Sequence, residues 1–95
     1  MKIVAVCGLG VGSSIIAKMN IESILSDEGK DDVTVDTIDI GSIKSVDADI
    51  FVTTRDLADN LPEEYKDKTI ILTNFVDKNH IKENLDPKIK EIENQ

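Results

Sequence analysis

The sequence predicts a three-layer α/β domain built on an open, four-stranded parallel sheet in the order 2-1-3-4. Three observations lead there. Short β-branched apolar runs recur along the chain, helical or crossover segments separate them, and the first run ends in a glycine loop that opens a helix. Strands alternating with crossovers of this kind make a parallel sheet with right-handed connections. With 95 residues, the chain fits one domain, 1–95, and leaves no room for a separate catalytic lobe. Apolar residues form 40% of it, enough for a modest core and too many for intrinsic disorder; with no Trp, one Tyr and two Phe, that core must be aliphatic.

Lys2-Ile3-Val4-Ala5-Val6-Cys7 reads as a buried parallel strand, apolar on both faces, running into Gly8-Leu9-Gly10-Val11-Gly12. A helix then opens at Ser13 or Ser14. At 100° per residue, Ser14, Ala17, Ile21, Ile24 and Glu28 share one face with Leu25 at its margin, and Gly29 supplies the stop. Asp32 to Ile38 alternates like a half-buried edge strand, whereas Ala48 to Thr53 reads as a more buried one. Between them, Asp39 to Asp47 has room for no more than a turn or one helical turn. Arg55 to Leu61 is a short helix halted by Pro62, followed by polar loop and a fourth strand, Thr69 to Thr73. From Asp77 onward, Ile81, Leu85, Ile89 and Ile92 fall at helical spacing, with a break or new start expected at Asp86-Pro87, because the residue before proline is pushed out of helical geometry.

Eleven basic against nineteen acidic residues give a net charge of −8, which disfavours nucleic acid and anionic membrane surfaces as partners. The charge is uneven. Residues 1–25 hold Lys2, Lys18 and Glu22, a net +1, which leaves the rest of the chain at −9. The longest unbroken apolar run, Ile3 to Cys7, is far short of the roughly 20 residues that cross a bilayer, and no charged-then-apolar leader precedes it, so a cytoplasmic protein with no direct membrane span is expected. A single cysteine rules out an internal disulfide or a multi-thiolate zinc site.

That cysteine carries the chemistry. In open parallel sheets, ligands sit beyond the carboxyl ends of the strands at the point where strand order reverses, here between strands 1 and 3. Cys7 and its loop lie at that point, with Thr53, Thr54 and Arg55 next door. Glycines let backbone N–H groups turn inward, and a helix N-terminus adds unsatisfied donors and a positive dipole end. The backbone of Gly8, Leu9, Gly10, Val11, Gly12, Ser13 and Ser14 would form an anion cradle around a sulfur whose thiolate form the same dipole favours. A lone cysteine at a strand end is otherwise a small buried hydrophobe; the loop and helix start turn the reading toward a nucleophile. One of Ser13 and Ser14 serves as N-cap, and either hydroxyl could also meet phosphate.

Better-known loops fit less well. No lysine follows Gly12, as a nucleotide-binding P-loop requires, and Ser13 stands where the dinucleotide fingerprint needs its third glycine. The cysteine phosphatase pattern, C-x-x-x-x-x-R, would place arginine at position 13, which is again Ser13. Without that bidentate cation, phosphate on sulfur is not driven toward water, which suits relay better than hydrolysis.

Ala5-Val6-Cys7-Gly8-Leu9-Gly10-Val11-Gly12-Ser13-Ser14, then Lys18-Met19-Asn20-Ile21-Glu22, Thr53-Thr54 with Asp56-Leu57, and Asn74-Phe75-Val76-Asp77 resemble the soluble IIB components of the bacterial phosphoenolpyruvate-dependent sugar phosphotransferase system (PTS). The likeness runs through the whole chain and is greatest to the ascorbate-type branch; galactitol-type and lactose-type relatives share the thiol and loop. It implies a flavodoxin-like, low-molecular-weight-phosphatase-like fold and a phosphocarrier in which Cys7 is catalytic. Cys7 would take phosphate from a phosphohistidine on a IIA partner and pass it to a sugar held by a membrane-embedded IIC partner. Such a protein works in the cytoplasm, transiently at the inner face of the plasma membrane, and in-line transfer between side chains calls for no metal or organic cofactor. A phosphatase-like hydrolase and a phosphorylation- or redox-sensing module are the competing classes.

The remaining candidates have plainer readings beside the functional ones. Thr53, Thr54 and Arg55, taken singly, read first as strand termination and helix capping; Arg55 is the nearest replacement for the missing phosphatase arginine. His80, in the polar stretch Asp77-Lys78-Asn79-His80, reads as an exposed surface residue and not as the phosphoryl acceptor. Ile15, Ile16 and Met19 point away from the core face of the first helix, either covered by neighbouring chain or forming an apolar collar where partners dock.

Overall fold

The computed structural model describes residues 1–7, 13–30, 32–73 and 75–94. Along them run β1 (Lys2–Cys7), α1 (Ser13–Asp27), β2 (Thr34–Asp39), β3 (Ile50–Thr54), α2 (Arg55–Ala58), β4 (Thr69–Leu72) and α3 (Lys78–Glu93), with 3-10 helices at Ile40–Ser45 and Glu63–Lys68. The sheet order is β2-β1-β3-β4 and every pairing is parallel. This is the predicted flavodoxin-like arrangement. Pairing of β1 with β2 runs from Lys2↔Thr34 to Cys7↔Asp39, and pairing with β3 from Ile3↔Ile50 to Ala5↔Val52.

Burial explains why β1 reads as a continuous apolar run. Ile3, Val4, Ala5 and Val6 are all fully buried, since the central strand is covered on both faces. Successive side chains alternate sides. Ile3 and Ala5 join Ile50 and Val52 against Ala17, Ile21 and Ile24 of α1 and Ile81, Leu85 and Ile89 of α3. Val4, Val6 and Phe51 pack on the other side with Ile43 and Leu61. Two long helices thus cover one face. Short segments cover the other, where Tyr65 meets the Phe51 ring edge-on at 5.3 Å and Lys68 Nζ sits 5.7 Å from its centroid.

α1 ends as its sequence requires. Gly29 adopts φ +72°, while Lys30 N–H donates to the Leu25 carbonyl and Gly29 N–H to that of Ser26, closing a Schellman motif that a side chain at Gly29 would strain.

Four expectations need correction. The crossover after β2 holds a six-residue 3-10 helix, longer than one turn, and places Ile43 in the second core. α2 stops at Ala58, four residues before Pro62. The stretch expected as polar loop is the 3-10 helix Glu63–Lys68, with Pro62 at its N-cap position. The largest departure is α3, which continues through Asp86 and Pro87 to Glu93 without a break. Proline inside a helix costs about 3 kcal/mol locally. Burial of Ile81, Leu85 and Ile89, each about 99% buried and worth roughly 1.5–3 kcal/mol apiece, outweighs it.

α1 and α3 also meet through carboxyls. Asp86 Oδ1 is buried and has no donor facing it. Glu28, whose side chain is 19% exposed, pairs with Lys82 at 3.6 Å. Burial raises the pKa of Glu28 most, hydrogen bonding to Asp86 and its negative charge raise it further, and Lys82 and Lys30 oppose them. A folded-state value above the unfolded one means that the folded chain holds this proton more tightly. The stabilisation is therefore full below the ordinary carboxylate range and is lost as pH rises through the folded value. Asp86→Asn, which supplies an amide donor and removes the repulsion, is expected to raise Tm at pH 7, with the gain over wild type shrinking at pH 4.5. About 1 kcal/mol or less is at stake, on the order of 4–8 °C at most; thermal melts at the two pH values check it, and an equal gain at both would overturn it.

Candidate functional site at the carboxyl ends of β1 and β3

The site is assembled where sheet order reverses. β1 ends on Cys7, α1 starts at Ser13, and the adjacent β3 ends on Thr53 and Thr54 before Arg55 opens α2. Gly8, Leu9, Gly10, Val11 and Gly12, expected as the anion cradle, lie outside the described residues, as do the side chains of Cys7, Ser13 and Ser14. What is described is the frame. A central strand leads to Cys7, and a 15-residue helix with no acidic residue in its first turn begins six positions later, so its N-terminal partial charge is not neutralised from within.

The three residues after the β3 core divide in role. Thr53 is fully buried, and its Oγ1 donates to the Val6 carbonyl at 3.5 Å. Thr54 occupies the N-cap position of α2 yet makes no side-chain capping bond; it is half-buried, in register with Leu72. Arg55 is exposed.

α1 carries its apolar collar in the open. Ile15, Ile16 and Met19 are 57%, 42% and 64% exposed, so the neighbouring described chain does not cover them. Sequence reasoning missed a further contact of this helix. Asn20 Nδ2 donates to the Phe75 carbonyl at 3.1 Å, drawing the segment after β4 onto α1, and Val76 beside it is 60% exposed. The signal was a buried and an exposed apolar residue in succession, Phe75-Val76, which local patterning alone does not tie to a helix fifty-five residues earlier.

That segment is fastened at both ends. Asp77 caps α3 by accepting from the N–H groups of Asn79 and His80, and Lys78 Nζ reaches Ser23 Oγ at 2.8 Å and Asp27 at 3.1 Å on α1. His80 is only half exposed. Its Nε2 lies 3.2 Å from both the N–H and Oγ1 of Thr73 and accepts from that N–H, so it secures the end of β4 and is not an idle surface group.

Asp39, the register partner of Cys7 on β2, is a second residue that the sequence did not single out. It is exposed, and a carboxylate at that level disfavours an anion approaching from the β2 side. At the opposite end of the sheet, Asp47, Asp49, Glu64, Asp67 and Lys68 line a cleft of about 420 Å³. Its four carboxylates repel phosphate, and Asp49 is already engaged by the Lys2 N–H at 2.8 Å. No group of three or more metal-ligating side chains occurs among the described residues. No helix among them is long and apolar enough to cross a membrane.

Comparisons with known proteins agree with this frame. A family model described as PTS system, lactose/cellobiose-specific IIB subunit, matches residues 2–87. The ascorbate-specific PTS system EIIB component of Mycoplasma pneumoniae is 30% identical over 87 residues, covering 90% of each chain.

Proposed function

The chain belongs to the lactose/cellobiose-specific IIB family of the sugar phosphotransferase system, and from that membership we propose that Cys7 is its phosphoryl-carrying residue. A IIB subunit is a phosphotransferase component of a sugar relay. The observation that carries the finer reading is the place of Cys7: the last residue of the central strand, at the switch point of the sheet, with α1 beginning six residues on.

The chemistry follows from that placement. The Cys7 thiolate attacks phosphorus on the N-phosphoimidazole of a IIA partner. A P–S bond forms, the P–N bond breaks, and the released imidazole takes up a proton. In the second transfer a sugar hydroxyl on the IIC partner attacks phosphorus, giving its proton to a base there. The P–S bond breaks and thiolate is restored. The glycine-loop backbone from Gly8 to Ser14 serves as the oxyanion cradle, and the N-terminal dipole of α1 favours both the thiolate and the transferring phosphoryl. Ascorbate or a related sugar acid is the substrate class, as in the relative from Mycoplasma pneumoniae. Both partners meet the protein on the cytoplasmic side of the membrane.

Ile15, Ile16 and Met19 form the docking surface beside this site, and their exposure supports that role. In a protein that stays folded, Ile16→Asp is expected to raise the KM for the phosphorylated IIA partner about tenfold, the scale of one apolar interface anchor. Initial rates of phosphoryl acceptance measure it; an unchanged rate at sub-saturating IIA would remove the residue from the interface.

Relay and hydrolysis are separated by following the wild-type protein after incubation with phosphorylated IIA. Relay is expected to leave one phosphoryl group persistently on the chain by mass spectrometry. Steady release of inorganic phosphate would favour the phosphatase-like reading, and no addition would leave a binding or redox module.

A further inference from the structure

Among the described residues, Thr53 is the one polar side chain that is wholly buried. Two residues beyond Phe51 on β3, it lies on the Val4, Val6 and Phe51 side of the sheet. A hydroxyl in such a place is costly unless it is satisfied, and the acceptor it meets, at a long 3.5 Å, is a backbone carbonyl. The backbone register between β1 and β3 runs to Ala5↔Val52. Just beyond, Thr53 Oγ1 donates to the carbonyl of Val6, the acyl half of the peptide bond that leads into Cys7. On the other flank, β2 holds the strand through Cys7↔Asp39.

We infer that Thr53 is a positioning residue for Cys7: its hydroxyl fixes the Val6–Cys7 peptide from the β3 side and so sets where the strand delivers its last residue. Thr53 touches no reacting atom. It acts on the peptide whose orientation decides whether the Cys7 sulfur lies in line with the incoming phosphorus. Apolar residues fill every other buried position on this face of β1 and β3, so packing alone would be served by valine, which has the same shape without the hydroxyl. This inference rests on Cys7 being the phosphoryl carrier, and its test includes a readout that does not need the relay.

The test compares Thr53→Val and Thr53→Ser with wild type. Cys7 is the only cysteine, so the pH dependence of its alkylation by iodoacetamide reports one thiol. Thr53→Val is expected to raise the midpoint of that profile and to lower kcat for phosphoryl acceptance from IIA about tenfold, with KM for IIA unchanged, as a small misplacement of a reacting group does. Thr53→Ser, which keeps the donor, should lie within about threefold of wild type, well short of a tenfold change. A Thr53→Val protein that matches wild type in either readout overturns the inference, as does a Thr53→Ser protein as impaired as Thr53→Val. Should Thr53→Val fail to fold, Thr53→Ala replaces it: Ala impaired with Ser intact supports the role, and Ala equal to Ser overturns it. If wild type accepts no phosphate, the relay reading fails, and the alkylation profiles alone decide Thr53.

Discussion

Cys7→Ser is expected to abolish phosphoryl acceptance, by at least about a thousandfold, while leaving the fold intact. Losses of that size or larger follow when an enzyme loses its nucleophile. Serine keeps the size of the residue and the hydrogen-bonding reach of its tip, so the ladder that ends at Cys7↔Asp39 should persist. What it loses is acidity. A thiol near the N-terminus of a helix is drawn toward thiolate at neutral pH, whereas an alcohol there stays protonated and needs a general base. Among the described residues, the histidine, His80, is committed to Thr73. Mass spectrometry after incubation with phosphorylated IIA, alongside far-UV circular dichroism, is the measurement. A Cys7→Ser protein that still gains one phosphoryl group would move the acceptor elsewhere, and the relay through Cys7 would have to be given up.

The second large effect is on stability. Ile89→Ala is expected to cost about 2–5 kcal/mol, the range for truncating a fully buried aliphatic side chain. Domains typically have 5–15 kcal/mol in all, so the loss is a large share of the total. Ile89 lies two residues past Pro87 and is 1% exposed against the same core as Ile21 and Ile50. If the chain broke at Asp86-Pro87 and the last segment were loosely attached, the truncation would cost well under about 1 kcal/mol, like a surface change. Urea unfolding followed by circular dichroism distinguishes these, provided that the midpoint falls at constant m.

The case of α3 shows where local pattern stops being informative. Ile81, Leu85 and Ile89 gave the helical spacing, and Asp86-Pro87 gave an equally sound local signal against it. Both are real free-energy terms. The outcome depends on how much of the apolar stripe finds a partner, and that partner is the sheet face built from Ile3, Ile50 and Leu72, far away in sequence. The same limit applies to His80. Its polar neighbours suggest solvent, yet its ring nitrogen meets the Thr73 N–H at the end of β4.

At the site, residue types were legible and relations between them were not. A β-branched run ending in Cys7, glycines after it and a helix start at Ser13 are consecutive in the chain, so the pattern could be read directly. Thr53 was legible only as a neighbour of that loop. Its burial and its bond to Val6 depend on the register of two strands that meet across forty-seven positions. The tie between Asn20 and the Phe75 carbonyl likewise joins segments fifty-five positions apart.

Local signals suffice for the parallel sheet, its order and the thiol at its switch point, because strand periodicity, glycine and helix-stop signals act within a few residues of one another. Only long-range packing settles that α3 runs unbroken through Pro87, that Ile15, Ile16 and Met19 are exposed, and that Thr53 is buried beside the Val6 carbonyl. Each of these turns on burial or hydrogen bonding between distant segments, and such terms have no value until the sheet has brought the segments together.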